Sequence, residues 1–316
     1  MSNQQKLKIA VQVFGHLRTY KECLPYLQRH LAAHYDCDFF IHTWSLLDHN
    51  TKTWHDNRRQ AGAVSLDRLE TELAQMLGAV GGVAVEEQHP QDLGEIITQQ
   101  RLNVRQRTMS IYGISAMLHS MRESNRLREE YARKNQTRYD FVICLRPDIL
   151  LKKPLDIARI IDGLSAGQLD RAFFTVANPL FAAVSGFKEY GATDVLFFAA
   201  PPVMSAVLSG TEKITAQFHD KMVIDCGPEY FFINSGQEMG FLPYIINNMQ
   251  YGADFEILRP AVTEKKIRKR IVKMRTRANL FRLQWFPMML RQVMRWELSL
   301  FGFKIDLCCG NINEKV

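Results

Sequence analysis

The fold is decided by residues 7–44, LKIAVQVFGHLRTYKECLPYLQRHLAAHYDCDFFIHTW. Residues 7–14 are almost continuously apolar and rich in β-branched side chains, which predicts a strand buried on both faces. The loop GHLRTY, residues 15–20, follows directly, and residues 23–33 have the spacing of an amphipathic helix. Residues 37–42, CDFFIH, predict a second buried strand. Strand, loop, helix and strand in this order are typical of the start of a parallel sheet in an α/β protein.

The alternation of strands and helices continues along the chain. Further strands are predicted at residues 83–85, 139–145, 171–177 and 194–199, and further helices at residues 65–77, 108–134, 155–164, 202–209 and 228–240. The chain is expected to turn at Gly240 and Pro243. We therefore predict an α/β domain over residues 1–260, with a mostly parallel sheet flanked by helices, and a helical tail over residues 261–316.

The composition is that of a globular protein, with 47% hydrophobic and 23% charged residues among 316. No GxxxxGK[ST], GxGxxG, HExxH or GxSxG motif occurs, and no zinc-binding spacing of cysteines. This pattern excludes a P-loop and disfavours a dinucleotide-binding site. The polar start of the chain predicts no secretory signal, and the six scattered cysteines are expected to be reduced.

Positive charge is concentrated in the tail. Residues 264–295 contain eleven Lys and Arg against Glu264 alone, a net charge of +10. The whole chain carries +7, so the rest of it is slightly acidic, at −3. The α/β domain over residues 1–260 is therefore not expected to carry a basic surface. Nucleic acid is not a predicted partner.

The tail also carries many Trp, Phe, Leu and Met residues, and Pro287 is expected to divide it into two helices. Basic residues interleaved with large apolar ones are typical of a helix that lies on an anionic membrane surface. The alternative for the tail is a basic helix exposed to solvent, followed by a second helix that packs on the α/β domain. The sequence favours the membrane surface as the partner of the tail.

The loop after the first strand is the first candidate ligand site. Ligands of open α/β sheets bind at the carboxyl ends of the strands, where Gly15 permits a close backbone approach. Arg18 offers a planar fork of donors for phosphate, and His16 can donate to phosphate or stack on a base. An ordinary turn with a surface arginine is the alternative.

Two further candidates follow strands at the same predicted edge. His42, Thr43 and Trp44 end the second strand and are expected to line the crevice. Arg146 and Asp148 follow the strand at residues 139–145: Arg146 is predicted to bind diphosphate, and Asp148 to bind Mg²⁺ or Mn²⁺ or a sugar hydroxyl. The alternative for the first group is that Trp44 is a core residue and Thr43 a cap. The alternative for the second group is a structural ion pair between Arg146 and Asp148.

Three acidic features complete the candidates. Asp194 precedes an apolar strand, where a charge needs a partner, and Glu229 follows Pro228 at a predicted helix start. Capping roles are the alternatives for both. The DxD triplet of Asp36 and Asp38 precedes its strand and so lies at the opposite edge from the crevice, which disfavours metal binding there.

The succession GHLRTY, DCDFFIHTW, YDFVICLRPDILL, TDVLFFAAPPVM and GPEYFF resembles bacterial glycosyltransferases of GT-A-like fold, over about residues 7–245. These enzymes build capsule, O-antigen or lipopolysaccharide from nucleotide sugars. The resemblance implies a nucleotide-sugar donor, a glycan or lipid-linked glycan acceptor, and a place on the inner face of the cytoplasmic membrane.

The resemblance also implies roles for matching residues. Gly15, His16 and Arg18 would hold the nucleotide and its diphosphate, and Asp194 or Glu229 would act as the base. Where the family has DxD, this chain has Arg146 in the first acidic position, so arginine rather than a divalent cation can neutralise the diphosphate. The other functions that remain open are a different enzyme of nucleotide sugars or phosphate, and a non-catalytic scaffold whose tail binds membrane or a partner.

Overall fold

The computed structural model describes residues 6–48, 63–88, 101–104, 107–177, 195–219 and 239–258. In chain order the strands are β1 (Lys8–Phe14), β2 (Asp36–Trp44), β3 (Val80–Glu86), β4 (Arg101–Val104), β5 (Arg107–Ser110), β6 (Phe141–Leu145), β7 (Ile149–Leu151), β8 (Ala172–Ala177), β9 (Leu196–Ala199), β10 (Leu242–Gln250) and β11 (Phe255–Ile257). The helices are α1 (Tyr20–Leu27), which continues as a π-helical turn (Gln28–Ala32), α2 (Leu66–Leu77), α3 (Ile111–Asn135), α4 (Ile157–Ile161), α5 (Ala166–Leu169) and α6 (Pro201–His219).

Seven of the described strands form one sheet in the order β10-β8-β9-β6-β1-β2-β3. Strands β6, β1, β2 and β3 are parallel, as are β8 and β10, and only β9 pairs antiparallel with its neighbours. The pairs β4–β5 and β7–β11 form two small antiparallel sheets. This architecture confirms the predicted α/β class with a mostly parallel sheet, and it is consistent with the GT-A-like fold expected from the sequence.

The core lies in two layers, one on each face of the large sheet. Alternate side chains of β1 enter opposite layers, because successive residues of a strand face opposite ways. Val11 joins the layer of α1 and α2, whereas Ala10 joins that of α3 and α6. Burial on both faces accounts for the almost continuous apolar pattern of residues 7–14.

Most predicted elements are present with shifted ends. The helix predicted at residues 202–209 runs over Pro201–His219, and the one predicted at residues 155–164 shortens to Ile157–Ile161. The turn at Gly240 is confirmed by its positive φ of 78°. The turn predicted at Pro243 is wrong: Pro243 lies in β10, which pairs with β8 at the end of the sheet. An edge strand tolerates proline because one row of its backbone groups needs no partner strand.

Several predictions concern residues outside the described ranges. Asp194, Glu229, most of the helix predicted at residues 228–240, and the tail from residue 261 belong to this group. The boundary between the α/β domain and the tail stays a prediction. Within the described residues, no helix combines the length and the apolar character needed to cross a membrane.

Candidate functional site

The loop after β1 begins at Gly15, whose φ is +94°. Residues other than glycine rarely adopt this backbone conformation. A Cβ placed at this position would meet no atom within 4 Å, so glycine is required by the backbone angle and not by crowding. The amide of Gly15 donates to Ser120 Oγ at 2.7 Å and to the carbonyl of His42 at 3.2 Å. The loop is therefore attached to both α3 and the neighbouring strand β2.

Arg18 and Arg146 meet at the side chain of Asp148. Arg146 donates from Nε to Oδ1 at 2.9 Å and from Nη2 to Oδ2 at 2.8 Å, and Arg18 donates from Nη1 to Oδ2 at 2.9 Å. The Asp148 side chain is fully buried. One carboxylate thus holds together two guanidinium groups that follow the adjacent parallel strands β1 and β6.

Three more hydrogen bonds hold this pair in place. Arg18 Nε donates to Asp48 Oδ1 at 2.9 Å. The backbone of Leu258, just after β11, accepts from Thr19 Oγ1 and donates to the carbonyl of Asp148, both at 2.7 Å. The loops after β1 and β6 are therefore tied to each other and to the chain after β11.

The predicted metal role of Asp148 is not favoured by this geometry. Both of its oxygens accept hydrogen bonds from guanidinium groups. A cation would have to displace two arginines from a fully buried carboxylate, at a large electrostatic cost. The arrangement suits a different task, in which Asp148 orients Arg18 and Arg146.

Three of the five N–H donors of Arg18 are not used by the described residues, because only Nε and one Nη1 hydrogen are bonded. The side chain of Arg18 is 11% exposed. Arginine forks suit phosphate oxygens, which accept two parallel hydrogen bonds. Arg18 can therefore receive an anionic group at the carboxyl ends of β1 and β6, beside Arg146.

The three residues that end β2 do not lie on the same face of the sheet. His42 and Trp44 face α3, and their rings form an edge contact at 5.1 Å. Thr43 points to the opposite face, as the alternation along a strand requires, and is fully buried there. Thr43 therefore does not share a face of the sheet with His42 and Trp44, and the expectation that all three line one crevice stays a prediction. His16 belongs with the first two, since its ring lies 6.4 Å from that of Trp44.

A cluster of His42, Glu86 and His119 forms where β2, β3 and α3 meet. Their potential ligand atoms all lie within 4.8 Å of one another. His119 Nε2 is 2.8 Å from Glu86 Oε2, and His42 Nε2 is 3.4 Å from the same oxygen. The Trp44 ring stacks on His119 at 5.7 Å. Two imidazoles and a carboxylate constitute the donor set of a metal site.

Burial lowers the pKa of His42 to about 4, against the opposing effect of the Glu86 charge. The ring is therefore neutral at pH 7. Burial acts to raise the pKa of Glu86, but the hydrogen bond with His119 and the other interactions with His119 and His42 together outweigh it, so that pKa lies below its usual range. Glu86 is accordingly a carboxylate at pH 7, and the neutral His42 is no ionic partner for it.

Sequence reasoning did not single out Glu86, His119 or Ser120. Glu86 is the last residue of β3, so its place at a strand's carboxyl end was an available signal. His119 and Ser120 lie inside α3, and no local pattern separates them from other polar positions of a long helix. Only the packing of α3 on β1, β2 and β3 brings them to the edge of the sheet.

The two aspartates of the DxD triplet make ion pairs and a hydrogen bond at the start of β2. Asp38 accepts from Tyr139 Oη at 2.8 Å and pairs with Lys8 Nζ at 2.9 Å, while Asp36 pairs with the same amine at 3.1 Å. These residues lie at the start of β2, opposite to the edge that carries the arginine pair.

Comparison with known proteins leaves the family open. No family model matches the chain, and no curated protein is similar to it in sequence. Among solved structures, the chain is similar to a glycosyltransferase involved in the glycosylation of the major capsid of PBCV-1, with 12% identity and a TM-score of 0.36. The match covers 77% of this chain and 83% of that one.

Proposed function

We propose that this protein is a glycosyltransferase that uses a nucleotide-sugar donor. One observation carries the proposal: Arg18 and Arg146 are held side by side by the buried Asp148, at the edge of the sheet where α/β proteins bind ligands. The sequence resemblance to GT-A-like glycosyltransferases gives this arginine pair its chemical meaning.

Transfer of a sugar from a nucleotide diphosphate leaves a diphosphate with growing negative charge. Donors that are already positioned stabilise this charge in the transition state without having to reorganise. The unused N–H groups of Arg18 can supply such donors, and its bonds to Asp48 and Asp148 keep the guanidinium in place. Asp148 thus acts through the arginines as a positioning residue.

The donor side of the site would include the loop at Gly15. A Cβ at this position would have no atom within 4 Å, so there is room beside the backbone, and His16 lies in the same loop. The Trp44 and His16 rings lie 6.4 Å apart beside this loop, and we propose that they border the nucleotide base. The acceptor hydroxyl needs a base, for which we propose Asp194 or Glu229.

The remaining features of the proposal concern the acceptor and its location. We propose a growing surface polysaccharide or lipopolysaccharide as the acceptor, at the cytoplasmic face of the bacterial inner membrane. The basic, aromatic-rich segment at residues 264–295 would bind the anionic lipids there. These assignments rest on the sequence pattern and on the sequence resemblance.

Calorimetry with UDP, GDP, CMP and dTDP, each with and without Mn²⁺, tests the donor site. One nucleotide is expected to bind. If it is UDP, GDP or dTDP, the corresponding monophosphate should bind more weakly because it lacks a phosphate for the arginine pair, whereas preferred binding of CMP would contradict the diphosphate role of that pair. In Arg18→Lys and Arg146→Lys the charge opposite Asp148 remains but the planar fork is lost. Each change should weaken diphosphate binding about tenfold and leave monophosphate binding nearly unchanged.

Arg126→Lys is the matched control, since Arg126 pairs with Glu123 and Glu130 on the exposed side of α3. Equal affinities in all four proteins would overturn the role of the arginine pair. If no nucleotide binds to the wild type, the non-catalytic scaffold replaces the enzyme as the favoured function. Transfer of labelled sugar from the bound donor to a lipid-linked glycan then tests catalysis itself.

A further inference from the structure

His42, Glu86 and His119 come from three separate elements of the fold. His42 lies in β2, Glu86 ends the neighbouring strand β3, and His119 lies on the third turn of α3. Their potential ligand atoms share a space no wider than 4.8 Å. Tetrahedral zinc ligands at about 2.1 Å from the metal lie about 3.4 Å apart, so small rotations of these side chains would suffice.

The hydroxyl of Ser120 determines the orientation of His42. Ser120 Oγ accepts from the Gly15 amide at 2.7 Å and donates to the His42 carbonyl at 3.2 Å. His42 Nδ1 lies 2.7 Å from the same oxygen. A hydroxyl has one hydrogen and two lone pairs, so the set of bonds is complete when Nδ1 carries the proton of the ring and donates it.

This tautomer leaves a lone pair on His42 Nε2. The atom is fully buried and has no hydrogen-bond partner among the described residues. It lies 3.4 Å from Glu86 Oε2, so the buried lone pair of Nε2 faces a second electron-rich atom, on a side chain that is partly exposed. Buried polar atoms nearly always have a partner, and a cation between these two would provide one.

We infer that His42 Nε2, Glu86 and His119 Nε2 bind one divalent transition-metal ion. The two imidazoles favour ions such as Zn²⁺ and Co²⁺ over Mg²⁺, which prefers oxygen ligands. Ser120 serves as the partner that orients a metal-binding histidine through its other nitrogen. The Glu86 and His119 side chains are 37% and 38% exposed, so the ion is reached from solvent.

Three protein ligands leave at least one coordination position open. Sites of this kind take a water or an oxygen of a bound ligand, whereas structural zinc sites are closed by four protein ligands. The metal site is separate from Asp148, whose oxygens are bonded to arginine. It does not depend on the proposed transfer reaction, because it rests on different side chains.

Titration of the tag-free, chelator-treated full chain with Co²⁺ tests this site. Co²⁺ bound to nitrogen and oxygen ligands at low coordination number has strong visible absorption, so the spectrum reports the ligand set. Calorimetry with Zn²⁺, and with Mg²⁺ for comparison, gives the affinity and stoichiometry. We expect a visible Co²⁺ band that Zn²⁺ abolishes, and no binding of Mg²⁺ at the same concentrations.

His119→Gln and Glu86→Gln should each remove the visible band and weaken Zn²⁺ binding more than about tenfold. Both side chains are partly exposed, so the fold should survive, which the melting temperature checks. His34→Gln, a change at an exposed histidine outside the cluster, is the control and should bind as the wild type does.

Two results would overturn the inference: no Co²⁺ band in the wild type, or the same band and stoichiometry in all variants. The first would leave a plain hydrogen bond between His119 and Glu86. All of these measurements are made without nucleotide. A negative result for metal binding therefore leaves the proposed nucleotide site untouched, and a negative result for nucleotide binding leaves the metal site untouched.

Discussion

Arg18 Nη1 donates to Asp148 Oδ2 at 2.9 Å, across 130 positions of sequence. The contact joins the loops after β1 and β6, which are neighbours in the sheet. Arg146 completes it by binding the same carboxylate with two parallel hydrogen bonds. Asp148 thus positions both arginines of the proposed donor site.

Replacement of Asp148 by Asn should destabilise the protein as well as impair nucleotide binding. The change leaves two largely buried guanidinium groups without their shared carboxylate, and we expect a loss of about 3 kcal/mol in the free energy of unfolding. Urea unfolding measures it. The ligand role that the sequence favoured for Asp148 does not by itself predict a loss of stability.

Asp162→Asn is the control for this experiment, since Asp162 is exposed just after α4. It should change the free energy of unfolding by less than about 0.5 kcal/mol. An Asp148→Asn protein as stable as this control would show that the ion pair contributes little and that the arginines are positioned by other contacts.

Replacement of the buried Arg128 should also lower the free energy of unfolding. Its guanidinium donates to Asn125 Oδ1 at 2.9 Å and to Ser205 Oγ at 2.7 Å, and so joins α3 to α6. Arg128→Met should cost about 2 kcal/mol, because these polar groups lose a charged donor inside the protein. Arg126→Met on the exposed side should cost less than about 0.5 kcal/mol, and equal melting temperatures would contradict the prediction.

The three described cysteines should resist thiol reagents in the folded protein. Burial raises the pKa of Cys23 and Cys144, and burial together with the charges of Asp36 and Asp38 raises the pKa of Cys37 to about 12. At pH 8 hardly any thiolate is present to react. The remaining cysteines are replaced in the test variant, which carries Cys226→Ser, Cys308→Ser and Cys309→Ser.

Mass spectrometry after maleimide treatment should find no modified thiol at pH 8 without denaturant, and three with it. The raised pKa also sets a pH dependence. The stability that it contributes is present below the ordinary thiol pKa of 9.0 and is lost as the pH rises toward 12, because only the unfolded chain ionises there. Rapid labelling of the native variant would show that these side chains are accessible.

The tail prediction is tested by truncation after Pro260. The full chain should bind vesicles that contain phosphatidylglycerol, and binding should fall steeply with salt, because residues 264–295 carry a net charge of +10. The truncated protein should stay in the supernatant after sedimentation. Neutral phosphatidylcholine vesicles are the control, and unchanged binding after truncation would contradict the assignment.

Local pattern predicted the fold well where burial follows a simple period. Residues 7–14 and 37–42 form strands because β-branched and aromatic side chains fit a sheet covered on both faces. The pattern failed at β10, where Pro243 suggests a turn. There the position at the end of the sheet overrides the local preference, and no neighbouring residue in the sequence reveals that position.

The candidate site divides in the same way. The residue types and their places after strands were sufficient to select Gly15, His16, Arg18, Arg146 and Asp148, because the carboxyl ends of parallel strands share one edge of the sheet. What each residue does there depends on its partners: Asp148 meets two guanidinium groups rather than open space. Glu86 and His119 join His42 only through the packing of α3 on the sheet. Side-chain periodicity and charge act over a few residues and can be deduced from the chain, whereas contacts between distant segments exist only after the sheet has brought them together.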